Sequence, residues 1–144
     1  MNKILVAVDI STPTITEKVC TTANDLALKY DAQIQLITIL PDYGSPLVAS
    51  FFPEGAQDSV KKEMREKLKD LASEYFQSNV KVAVIHSAGA KRANAILNTI
   101  KELKPDVVIL GCRRKHSREG QRLLGSTTLS VTDRAPCTVM VVKQ

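Results

Sequence analysis

The chain predicts one α/β domain, residues 1–144, built on a parallel sheet with right-handed crossovers and helices on both faces. A length of 144 residues suits a single hydrophobic core. Short continuous runs of β-branched and aliphatic residues recur, as in strands covered on both faces. Between these runs apolar residues repeat every three to four positions, so strand and helix alternate from end to end.

The first strand is the run Lys3-Ile-Leu-Val-Ala-Val8, closed by Asp9. Ser11, Thr12 and Pro13 then signal a helix start, since proline is tolerated in a first turn. Ile15, Val19, Ala23, Leu26, Ala27 and Tyr30 follow at helical spacing. Residues 33–40 form a second strand, closed by Pro41. Residues 41–56 hold three prolines and two glycines and read as a long loop. Its length predicts a mobile segment that carries partner specificity, with Val48, Phe51 and Phe52, out of any helical or strand period, either covering the sheet end or docking on a partner.

Val60, Met64, Leu68, Leu71 and Tyr75 mark a second amphipathic helix. Residues 80–86 are a third strand. Ala93, Ile96, Leu97 and Ile100 mark a third helix, ended before Pro105, whose ring disfavours helical geometry at Lys104. Residues 106–110 are a fourth strand, followed by Gly111. A short fourth helix opens at Gly125-Ser126-Thr127-Thr128, and a last strand covers 137–142. In such sheets ligands bind beyond the carboxyl ends of the strands, where the strand order reverses.

Composition narrows the function classes. Hydrophobic residues make up 44% of the chain and aromatics only 4%, so the core is aliphatic. No apolar run reaches the roughly 18–20 residues that cross a bilayer. The first nine residues lack the long apolar region and cleavage site of a signal peptide. Cys20, Cys112 and Cys137 are odd in number and widely spaced, which argues for a reducing compartment; a cytoplasmic protein is expected. Two histidines without zinc-ligand spacing predict no metal site.

The formal net charge of +5 raises a nucleic-acid partner. Most of the basic residues alternate with acids on helical faces, as over 61–70, and read as solvated surface. Arg113, Arg114, Lys115, His116, Arg118 and Arg122 form a separate basic cluster.

Gly111 and Gly125-Ser126 bracket this cluster. A glycine at a strand end lets backbone approach a ligand, and a Gly-Ser-Thr helix start offers amides and hydroxyls to phosphate. The same residues read equally as a plain strand–loop–helix connection with Ser126 or Thr127 as N-cap. Neither a Walker loop nor a Gly-x-Gly-x-x-Gly turn is present.

Four blocks, in order, resemble the universal stress protein family, in its small single-domain bacterial type, over the whole chain. They are Ile4-Leu-Val-Ala-Val-Asp-Ile-Ser11, Asp106-Val-Val-Ile-Leu-Gly111, Leu123-Leu-Gly-Ser126 and Ala135-Pro-Cys-Thr-Val-Met-Val-Val142. The resemblance implies a doubly wound, Rossmann-like sheet of five parallel strands in order 3-2-1-4-5. It implies ATP binding through a Gly-x2-Gly-x9-Gly-Ser/Thr pattern. Gly111 and Gly125-Ser126 keep the ends of that pattern. Arg114 stands in place of the second glycine, and the loop is one residue longer. Arg114 either fills phosphate space or contacts phosphate.

By the same resemblance Asp9 contacts adenosine, Ile39 lines the adenine pocket, and Ser126 with Thr127 meets phosphate, with Arg113 and Arg114 supplying counter-charge. Asp9 reads equally as a helix cap. The resemblance also implies a homodimer paired through the strand at 137–142 and a phosphorylatable Ser126. No nucleophile with an orienting base is evident, so a stress-associated regulatory protein that binds an adenine nucleotide is expected, not a dedicated enzyme. The alternatives are a nucleotide-free interaction module and, ranked last, a basic nucleic-acid binder, which lacks stacking aromatics.

Overall fold

The computed structural model describes residues 1–40, 55–77, 80–87, 89–113 and 124–144. Among them are five parallel strands and four helices: β1 (Lys3–Ala7), α1 (Pro13–Tyr30), β2 (Gln33–Leu40), α2 (Ala56–Tyr75), β3 (Val80–His86), α3 (Arg92–Leu103), β4 (Val107–Cys112), α4 (Ser126–Arg134) and β5 (Thr138–Lys143). The order across the sheet is β3-β2-β1-β4-β5, as expected. The long loop and the basic cluster from Arg114 to Arg122 lie outside the described residues.

β1 is central, and its alternating side chains feed two cores. Ile4 and Val6 face one way, with Leu36, Val107 and Ile109, and meet Val19, Cys20 and Ala23 of α1 and Leu68 of α2. Leu5 and Ala7 face the other way, with Ile37, Val108 and Leu110, and meet Ile96 and Ile100 of α3 and Val131 of α4. A strand buried on both sides has no solvated face, which is why its sequence is continuously apolar.

The structure moves some expected boundaries. α2 begins a turn before Val60, at Ala56. β4 runs on through Cys112, so Gly111 is a strand residue paired with Val142 and not the residue after the strand. β5 spans 138–143 in place of 137–142. Tyr30 is 45% exposed, with the Lys29 ammonium 5.5 Å from its ring centre, and so does not belong to the buried face of α1.

Lys104 ends α3 at φ 48°, ψ 59°, its amide bonded 2.9 Å to the Ile100 carbonyl. At the opposite pole from the strand carboxyl ends, Asp106 Oδ2 accepts the amides of Asn2 at 2.6 Å and Lys3 at 2.9 Å, tying β1 to the start of β4. β5 is an edge strand whose apolar residues Val139 to Val142 are only half-buried.

Candidate functional site

The site follows from the winding. β1 leads into α1 on one face of the sheet, and its neighbour β4 leads toward α4 on the other. With α1 and α4 on opposite faces, a crevice is left at the strand carboxyl ends. A cleft of about 530 Å³ opens there.

Asp9, just past β1, organises the floor. Its carbonyl accepts the Thr12 amide at 3.1 Å and the hydroxyls of Thr12 and Thr16 at 2.9 and 2.8 Å, so the backbone of Asp9 holds the start of α1. Its carboxylate does not cap that helix, which corrects the helix-cap reading. Oδ1 accepts the Ser11 amide at 3.0 Å and the Ser11 hydroxyl at 2.6 Å. Oδ2 faces two guanidiniums, Arg92 at 3.6 Å and Arg113 at 3.8 Å. Burial raises the carboxyl pKa, but the Ser11 hydrogen bonds and then the two arginines outweigh it and hold it below the ordinary 3.8. The group is ionised at neutral pH.

Gly111 lines the cleft, but its lack of a side chain answers a packing demand. A Cβ there would stand 2.5 Å from Ile15 Cγ1 and 3.1 Å from Val19 Cγ2, so glycine is what lets α1 lie against β4. Gly125 differs. Its φ is −64°, and no described atom lies within 4 Å of where its Cβ would be.

Gly125 itself is the N-cap of α4, with no side-chain cap hydrogen bond, so the N-cap reading of Ser126 or Thr127 is corrected. Ser126 and Thr127 are the first helical residues, where amides have no intrahelical partner. Both line the cleft. Thr128 ties the helix to the sheet through a 3.2 Å hydrogen bond from Oγ1 to the Gly111 carbonyl.

Of the expected site residues, the structure brings Asp9, Ile39, Gly111, Arg113, Gly125, Ser126 and Thr127 to one cleft. Arg114 lies outside the described residues. Arg92 was missed. It opens α3 and reaches Asp9 from across the cleft. The available signal was its place just after the third strand's carboxyl end, where a cation starts a helix against the dipole.

Cys112 is buried, with Sγ donating to the Arg113 carbonyl at 3.4 Å. Burial, then the nearby Glu74 charge, pushes the Cys20 thiol up to about 12, which leaves it unreactive. No cluster of three or more His, Cys, Asp or Glu that could hold a metal is found among the described residues. Nor, among them, is any helix long and apolar enough to cross a membrane.

The family profile described as "Universal stress protein family" matches residues 1–143. The chain belongs to the universal stress protein family. Solved members of this fold are similar over almost the full length. The universal stress protein UspA from Lactobacillus plantarum shares 22% identity at a TM-score of 0.67, covering 98% of this chain and 97% of its own. The universal stress protein from Archaeoglobus fulgidus in complex with dAMP shares 16% identity at 0.59, covering 99% and 98%. A universal stress protein in complex with cAMP shares 18% identity at 0.61, covering 99% and 96%. At these identities the likeness establishes the shared Rossmann-like fold.

Proposed function

We propose that this universal stress protein binds an adenine nucleotide in the cleft and acts as a regulatory binding module of the cytoplasm, without a dedicated catalytic activity. One observation carries the reading: a single cleft joins an apolar wall to an anion-seeking one. Ile39, Ile96 and Leu110 offer a surface for a planar base. The same cleft is lined by Arg92, Arg113 and the first residues of α4, whose amides have no intrahelical partner.

Asp9, oriented by Ser11 and charged, suits a ribose hydroxyl or a base amine as acceptor. The dAMP and cAMP complexes of similar proteins support the same ligand class. ATP is the nucleotide that the retained Gly111 and Gly125-Ser126 suggest. Three widely spaced cysteines, odd in number, fit a reducing compartment.

Mass spectrometry of small molecules released from freshly purified protein, followed by calorimetry with ATP, AMP and adenosine, tests the reading. Retained adenine nucleotide and saturable heat are expected. No ligand and no heat would leave the nucleotide-free interaction module in its place.

The same protein is proposed to pair with a second copy through β5, whose half-buried apolar edge pairs with no further strand among the described residues. Light scattering at micromolar concentration should give twice the 15.8 kDa chain mass, and a monomer would refute the pairing.

A further inference from the structure

We propose that Arg92 is a ligand-binding residue of this cleft, and that with Arg113 it grips a single phosphate group, so that the site selects nucleoside phosphates over nucleosides. The proposal rests on the adenine-nucleotide reading above and adds to it the residue that reads the ligand's charge.

The two arginines come from different elements, α3 and the end of β4, yet both approach one atom, Asp9 Oδ2. Two guanidiniums that close to a single oxygen are close enough together for one phosphate to bridge them. Neither is locked onto Asp9. At 3.6 and 3.8 Å the pairs are electrostatic contacts beyond hydrogen-bond length. Each guanidinium has five N–H donors, enough to keep facing Asp9 while hydrogen-bonding a phosphate beside it.

The charge balance points the same way. Among the described residues lining the cleft, Asp9 is the one acid against the two arginines. α1, α3 and α4 all begin at this cleft, and none has an acidic residue in its first turn. Their dipoles therefore add positive potential to the net cationic charge of the lining. In α3 the arrangement works against the helix itself, because Lys91 and Arg92 occupy the N-cap and first position. Cations there cost helix stability, and an anion held in the cleft would offset that cost.

Arg92 is about half exposed (46%) and takes no part in either core, so replacing it should leave the fold intact. Calorimetry would compare adenosine, AMP and inorganic phosphate on wild type, Arg92→Gln and Arg92→Lys. Wild type should bind AMP at least about tenfold more tightly than adenosine, since charge-assisted hydrogen bonds to phosphate are strong. Arg92→Gln should weaken AMP by about tenfold or more and adenosine by less than about twofold, and should flatten the salt dependence of AMP binding. Arg92→Lys should fall between the two.

Equal losses for AMP and adenosine, no loss for either, or a wild type that binds both ligands equally would overturn the role of Arg92 alone. A wild type that binds neither adenosine nor AMP would overturn the nucleotide reading itself, and this inference with it.

Discussion

At the scale of single residues, Gly111 and Asp9 both line the cleft and both support the fold. Gly111 contributes by what it lacks, since Ile15 of α1 occupies the space a side chain would need. Gly111→Ala is expected to lower stability by about 1–3 kcal/mol, the usual range for forcing extra volume into a packed core. Denaturant titration measures it. Adding Ile15→Ala to Gly111→Ala should cost less than the two single changes combined, because the second removes the atom that the first collides with. Additive losses would show that the strand–helix contact is not the constraint.

Asp9 divides its work between backbone and side chain. The carbonyl holds Thr12 and Thr16, while the carboxylate, turned by Ser11, faces the arginines. The sequence marked Asp9 as a site residue or a helix cap without deciding between them. It had no means to decide, because the two parts of one residue take different partners only when β1, α1 and α3 are assembled.

At the scale of elements, the helix starts carry the functional signal. α3 begins with Lys91 at a position whose backbone, φ −66° and ψ 150°, suits a capping side chain, yet lysine supplies no acceptor there. Lys91→Asp should add a cap and a favourable dipole charge, raising stability by about 1 kcal/mol. A thermal midpoint higher by several degrees is the expected readout, and an unchanged or lower midpoint would count against a dipole penalty in this helix. A helix start that is poorer than it need be, and that opens on the cleft proposed to hold the nucleotide, is the kind of local conflict expected where function opposes stability.

The strands and helices themselves were largely legible, because each alternates or repeats apolar residues with the period of its own geometry. Boundaries slipped where geometry beyond the pattern decided. Gly111 and Cys112 continue β4 because β5 pairs with them, and no local rule lets a glycine announce that it stays in a strand.

At the scale of the whole molecule, each pole of the sheet carries a carboxylate with a depressed pKa. Asp9 sits at the cleft end, and Asp106 at the other end accepts the Asn2 and Lys3 amides. For Asp106 these backbone hydrogen bonds, and then the amino terminus and Lys3, hold the carboxyl below its ordinary 3.8 against a smaller effect of burial. Both folded-state values are thus depressed. The stability they contribute is present above the unfolded-state pKa near 3.8 and is lost as pH falls through the lower folded values. Denaturation midpoints measured from about pH 5 down to about pH 2 should therefore fall, and Asp9→Asn and Asp106→Asn should each flatten that fall. A profile of unchanged slope in both variants would mean that other carboxylates govern the acid limb.

The amino-acid sequence by itself determined the α/β class, the order of the described elements, the aliphatic core and the family. Each of these rests on local periodicity or on short blocks along the chain. It also marked most of the cleft: Asp9, Gly111 and Gly125-Ser126 stand at strand or helix ends, and those ends gather at one pole of any sheet wound this way. Only the tertiary structure decided which side chains meet. Arg92 and Arg113 lie far from Asp9 in sequence and converge on its carboxylate because α3 packs on one face of the sheet and β4 pairs with β1. Tertiary packing also decided that Gly111 makes room for Ile15, and that Gly125, not Ser126, caps α4. A distance between residues remote in the chain is set by the packing of whole elements, and no local pattern encodes it.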